Sequence, residues 1–159
     1  MIYLKTFESY DNQVNGYVVN GIFFLAGFNE VMFVKPSLVE IENIFEVLNN
    51  KYDFLAPLTG SWLNGPFAAK YGVWIPGYIF QVPCKNLEDA KESADDIIKE
   101  LKKIYNQPIC IAISEGTIKA NQKDPLMSDG TAYHKSGRYI DNPNNCLNMI
   151  KSGESIRVV

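Results

Sequence analysis

Hydrophobic and polar positions in this chain alternate between two periods. Tyr3 to Tyr10 and Tyr17 to Phe28 are rich in Tyr, Val, Ile and Phe and are separated by the turn-forming Asp11-Asn12 and Asn15-Gly16, which predicts strands. A further extended run, Val31-Met-Phe-Val34, ends at Pro36 and Ser37. Ser37 is then the expected N-cap of a helix, with Glu40 three residues on as its capping-box partner. Leu38, Ile41, Ile44, Phe45 and Leu48 recur at helical spacing, so one face of this helix packs on a sheet.

From Tyr52 to Pro83 the pattern returns to strands and turns, punctuated by Gly60, Gly65, Gly72 and Gly77 and by Pro57, Pro66, Pro76 and Pro83. Two strands are predicted around Leu58 to Trp62 and Tyr78 to Val82, joined by a long loop. The second long helix has Asn86 as its cap, Asp89 near its start, and an apolar stripe of Ala90, Ala94, Ile97, Ile98, Leu101 and Ile104. Acids crowd its first half and Lys99, Lys102 and Lys103 its second, the order the helix dipole favours. Ile109-Cys-Ile-Ala-Ile113 reads as an interior strand. The tail from Ser114 is Gly-, Asn- and Asp-rich, with a short helix near Asn145 to Lys151, Gly153 as its stop and a last strand over Ile156 to Val159.

Strand, helix, strand, strand, helix, strand is the order of a split βαβ unit. The predicted class is therefore α+β: a ferredoxin-like βαββαβ core with two helices on one face of an antiparallel sheet. The chain reads as a single domain, with N-terminal strands over 1–30, the core over 31–114 and an extension over 115–159. The open face of such a sheet needs a cover, supplied by the N-terminal strands, the tail or another subunit, so a homo-oligomer is expected.

Composition narrows the partners. The net charge is −3, with 15 basic and 18 acidic residues and no basic run, which argues against nucleic acid as a main partner. The longest apolar stretch, Tyr17 to Phe28, is broken by Asn20-Gly21 and too short to span a bilayer, and the N-terminus lacks a secretion signal, so no membrane association and a cytoplasmic location are expected. A chain of this length buries roughly two-thirds of its unfolded surface, so no disulfide or metal is required for folding. Cys84, Cys110 and Cys146 are widely spaced among apolar neighbours and read as buried free thiols. His134 is the single histidine, in a turn-like polar segment, so no metal site and no cofactor is predicted; a dyad with Cys146 is the weaker alternative to a loop histidine.

The chemistry-bearing candidates cluster between residues 58 and 82. Thr59, Ser61, Trp62, Asn64 and Tyr78 combine hydroxyls, an amide and aromatic faces, which suits a small planar, nucleotide-like ligand. The competing reading makes the aromatics core or subunit interface. Gly60 to Gly65 and Gly72 to Gly77 have the outer spacing of a phosphate loop but lack the following Lys-Ser/Thr. Glu115, at the end of the apolar strand, is the one candidate for a catalytic carboxylate.

Three segments carry a resemblance: Leu58-Thr-Gly-Ser-Trp62, Phe80-Gln-Val-Pro-Cys-Lys-Asn86 and Gln107-Pro-Ile-Cys-Ile-Ala-Ile113. Together they resemble the core of the small phage-encoded S-adenosylmethionine lyases. The resemblance implies a PII-like trimer with ligand sites between subunits, elimination of homoserine lactone from S-adenosylmethionine, and a role against host restriction. The acidic residues it would place before the second hairpin strand fall near Pro76 and Gly77, which carry no carboxylate. Three readings stand: a nucleotide-like or adenosyl-metabolite binding protein, a lyase using the same loop with Glu115, and an oligomeric structural or partner-binding protein.

Overall fold

The structure is a computed structural model. It describes residues 13–24, 37–63, 77–104 and 106–159. The strands expected over Tyr3 to Tyr10 and Val31 to Val34 lie outside those residues. The elements run β1 (Val14–Phe24), α1 (Leu38–Lys51), β2 (Thr59–Leu63), β3 (Gly77–Cys84), α2 (Leu87–Ile104), β4 (Ile109–Ile118), a short 3-10 turn (Pro125–Met127), α3 (Thr131–Asp141), α4 (Pro143–Ser152) and β5 (Ile156–Val158).

The α+β class holds. The strands are ordered β2-β3-β1-β4-β5, and every neighbouring pair is antiparallel except β4 with β5. Among the described residues the sheet is therefore five-stranded and mixed rather than wholly antiparallel. Its centre is the long apolar run near the N-terminus, because β1 pairs along almost its whole length with both β3 and β4. A strand with sheet on both sides must have its two faces covered, which explains the nearly continuous apolar sequence of β1.

Alternation divides the sheet into two faces. Val19 and Phe23 of β1, Tyr78, Phe80 and Val82 of β3, and Ile109, Ile111 and Ile113 of β4 point to one side. There they meet Ile41, Phe45 and Leu48 of α1 and Ala90, Ala94, Ile97 and Leu101 of α2. These are the buried positions of the stripes expected from the helical spacing; Leu38, expected in the first, is 43% exposed, and Ile44, Ile98 and Ile104 are half-buried at the margin. Asn86 caps α2 reciprocally: its Oδ1 accepts from Asp89 N at 2.8 Å and its Nδ2 donates to Asp89 Oδ2 at 3.1 Å. The corresponding expectation at Ser37 is corrected, since Ser37 precedes α1 in an extended conformation but its hydroxyl makes no cap bond.

The opposite face carries Ile22, Phe24, Cys110 and Ala112, packed against Ile140 of α3 and Cys146 and Met149 of α4. The tail is thus the cover the open face requires. Gly153 closes α4 with φ of 76°, as its position predicts. Helix α3 occupies the segment that reads from the sequence as turn-like, and His134 sits on its first turn.

Candidate functional site

The side chains singled out between residues 58 and 78 do not converge. Register pairs Thr59 with Gln81 and Ser61 with Ile79, so their side chains share the face covered by α3 and α4. Trp62 pairs with Tyr78 and lies on the other face, against the core under α1. The Trp62 and Tyr78 rings meet edge to face with centroids 4.8 Å apart, and Tyr78 also packs on Phe45 at 5.7 Å. These rings pack edge against face and tilted rather than forming one open platform. Asn64 lies outside the described residues. Glu115 stands on β4, separated from β2 by two intervening strands. Among the expected site residues, Thr59 and Tyr78 do line one cavity together, beside the start of β2.

Sequence reasoning missed a different constellation, and α3 builds it. Its N-terminus is tied to the end of β4 by reciprocal bonds: Thr117 N donates to Thr131 Oγ1 at 2.8 Å and Thr131 N donates to Thr117 Oγ1 at 3.0 Å. Lys119 and Asp129 exchange two backbone bonds just before it. Gly130 turns the chain into the helix with φ of 135°, and a Cβ there would lie 2.1 Å from Thr117 O. Ser114 Oγ then donates to Ala132 O at 2.5 Å, and Ala132, Tyr133, Ser136 and Ile140 are buried against the sheet. The helix is held over β4 and β1, leaving β3 beside its flank.

In that flank lies a cavity of about 310 Å³. Its floor is the sheet, from which Asn20 of β1 and Gln81 of β3 project as directly paired neighbours. Thr59 continues this polar row onto β2. The walls include Ile79, Tyr133 and Ile140, with Arg138 and Asp141 from α3. Asn20 is only 5% exposed, yet its amide makes no hydrogen bond among the described residues, and neither do the side chains of Gln81, Arg138 and Asp141. No side-chain nitrogen or oxygen among the described residues is both sealed from solvent and unpaired, so the Asn20 amide is reached from this cavity, where water or a ligand can satisfy it.

Burial pushes the Tyr133 hydroxyl up to about 12, opposed by a weaker hydrogen bond with Ser128, and partial desolvation shifts the exposed Asp141 carboxyl upward from its usual value. At the rim His134 Nε2 pairs with Asp129 Oδ1 at 2.7 Å. The Gly130 backbone N–H and then His134 hold the Asp129 carboxyl below its usual value.

A larger opening of about 780 Å³ lies on the other flank of α3, where Glu115, Thr131, Lys135 and Tyr139 line it. Glu115 and Lys135 there are exposed, and none of the polar side chains lining it is as deeply buried as Asn20 is in the smaller cavity. His134 and Arg138 border both.

The thiols take no part. Cys84, Cys110 and Cys146 are free and buried. Burial pushes Cys84 up to about 12, and a hydrogen bond with Cys110 together with burial raises Cys146. Cys146 sits in the apolar layer beneath α4 while His134 is on the outer side of α3, so the structure forms no nucleophilic dyad. Among the described residues no group of three or more His, Cys, Asp or Glu side chains is placed to hold a metal ion, and no helix is long and apolar enough to cross a membrane.

No protein-family model, curated protein or solved structure matches the chain.

Proposed function

We propose that this protein binds a small nucleotide-like metabolite in the cavity between β3 and α3. The observation that carries the reading is the Asn20 carboxamide, nine-tenths buried, open to that cavity and without a partner among the described residues. Asn20 and Gln81 each present a donor and an acceptor in one plane, the pattern that matches a nucleobase edge. Ile79, Tyr133 and Ile140 supply apolar walls for the ring, and Arg138 at the rim, unpaired among the described residues, offers a cation to a phosphate. The volume of about 310 Å³ is at the small end of ligand sites, which fits a mononucleotide better than a dinucleotide.

In this reading the ferredoxin-like unit begins at β1 (Val14–Phe24), not at residue 31 as expected from the sequence, and runs β1-α1-β2-β3-α2-β4, supported by the neighbour order β2-β3-β1-β4 and its antiparallel pairings, with β5, α3 and α4 added to it. The added layer, rather than the β2 loop, supplies the site. The lyase alternative gains no observation: Glu115 is exposed, lies on the far flank of α3 and faces none of the expected ligand groups.

Thermal-shift titration against nucleosides and nucleoside monophosphates tests the proposal. A ligand at 100 times its Kd adds about 2.7 kcal/mol, which for a chain of this size raises Tm by roughly 5–10 °C. The shift is expected to vanish in Asn20→Leu and to weaken in Arg138→Ala for phosphorylated ligands only. A full panel without any shift overturns the reading and favours a structural or partner-binding role.

A further inference from the structure

At the β2 end of the described sheet a second cavity, of about 470 Å³, opens between α1, the start of β2 and the 3-10 turn. Its polar wall is acidic from two directions: Glu42 and Glu46 lie one turn apart on α1, and Asp124 comes from the turn opposite. None of the three carboxylates has a cationic or hydrogen-bonding partner for its side chain among the described residues. Its inner wall is aromatic. Phe45 and Tyr78 are 6% and 3% exposed, and their rings are tilted 54° to each other. Tyr78 reaches this position because residue 60 is glycine: a Cβ there would lie 2.2 Å from the Tyr78 ring.

Tyr78 adds an observation independent of the acids. Although the residue is almost wholly buried, its hydroxyl makes no hydrogen bond among the described residues. The described residues also hold no buried side-chain oxygen that is both sealed from solvent and unpaired, so this hydroxyl is reached through the cavity that Tyr78 lines. Burial raises its pKa and the Glu42 charge raises it further, which keeps it a neutral hydroxyl near the carboxylates.

Carboxylates, aromatic faces and a hydroxyl admit two kinds of cation. A bare metal ion needs its oxygens gathered on one point, and these acids do not form such a group. They ring a space large enough for several heavy atoms instead. An organic cation spreads its contacts: ammonium hydrogens to carboxylates and hydroxyl, methylenes to aromatic faces. We propose that this cavity is a second binding site, specific for small organic cations of the protonated-amine or quaternary-ammonium class. It is separate from the nucleotide-like site, and the inference does not depend on that site being occupied. Leu126 of the turn lines both cavities.

Isothermal titration of the full chain with putrescine and with choline, at low ionic strength, tests the site. Saturable binding of at least one of them is expected. The triple substitution Glu42→Gln/Glu46→Gln/Asp124→Asn should weaken it by at least about tenfold, the loss expected for removing hydrogen bonds to a charged group. Tyr78→Phe, which keeps the ring, should weaken putrescine several-fold and choline, which has no ammonium hydrogen, much less. A control triple on α2, Glu88→Gln/Glu92→Gln/Asp95→Asn, removes the same charge elsewhere and should leave affinity within about twofold. Absence of binding by both probes, or an equal loss in the control triple, overturns the proposal. Displacement of a bound amine by stoichiometric calcium replaces it with a metal site. Asn20→Leu should leave amine binding intact, so failure at one cavity is read separately from failure at the other.

Discussion

Replacing Asn20 with leucine separates a binding residue from a structural one, because the two roles predict opposite signs. The residue is 5% exposed, its amide has no partner among the described residues, and its neighbours on that face of the sheet are Val18 and Ile22 along β1, Ala112 on β4 and Gln81 on β3. Folding therefore strips much of the water from the carboxamide without a protein hydrogen bond in return, although its polar atoms stay open to the cavity; complete burial on these terms costs about 1–3 kcal/mol. The adjoining cavity leaves part of that hydration in place, so the lower half of the range applies. Leucine has the branching of asparagine with two methyls in place of the amide oxygen and nitrogen, the cavity of about 310 Å³ accepts their greater bulk, and residue 137 opposite is a glycine, where even a Cβ would stand 3.3 Å from Asn20 Nδ2, so that position puts no side chain against the site. The net expectation is a gain of about 1 kcal/mol in the unliganded protein, which for a chain of this length is about 2–4 °C in Tm. Urea unfolding followed by tryptophan fluorescence and circular dichroism measures it, with an unchanged m-value showing that the same surface is exposed. The gain should coincide with loss of the ligand-induced shift, the trade-off common at sites kept for function. A destabilisation of more than about 1 kcal/mol would refute the reasoning, since it would mean that the amide is satisfied in the folded protein and serves the fold.

Other perturbations address how the site is positioned. Gly130→Ala puts a Cβ against the Thr117 carbonyl at a φ of 135°, and should destabilise by about 1–3 kcal/mol with faster amide exchange concentrated in α3 and the end of β4. The carboxyl of Asp96 is held below its ordinary pKa, first by Lys51 Nζ at 2.6 Å and then by the Tyr52 hydroxyl at 2.5 Å. A depressed folded-state pKa contributes stability that is present above the unfolded carboxylate value and lost as pH falls through the folded one. Asp96→Asn should therefore flatten the loss of stability below about pH 4, measured as urea midpoints at pH 7 and pH 3. All 3 cysteines are buried as free thiols, so a colorimetric thiol reagent should find none within minutes in the native protein and 3 in guanidinium; rapid native labelling of Cys84 would show that its site opens.

Local signals place most of the secondary structure. The stripe Ile41, Phe45 and Leu48 and the stripe Ala90, Ala94, Ile97 and Leu101 need only their spacing, and Asn86 and Gly153 act within a few residues of themselves. Helix α3 is harder to read because its buried positions, Ala132, Tyr133, Ser136 and Ile140, are small or partly polar and follow a glycine turn. What fixes it over the sheet is its bonding to β4, between residues 14 apart in the chain.

The site is barely legible for the same reason. Asn20 is visible only as a polar interruption in an apolar run, and Gln81 as a polar position within β3; nothing local tells that register sets them side by side. Thr59, Ser61, Trp62 and Tyr78 are natural to group by their chemistry, but the pleat sends the first two and the last two to opposite faces. The amino-acid sequence by itself determined which of the longer segments are helix and strand, which faces of the long helices are buried, and that the thiols are core residues, because those properties follow from periodicity and neighbours along the chain. Tertiary structure alone decided that β1 is the central strand, that the tail forms the second helical layer, and which polar groups are left without partners around a cavity, because each depends on pairings between residues far apart in sequence.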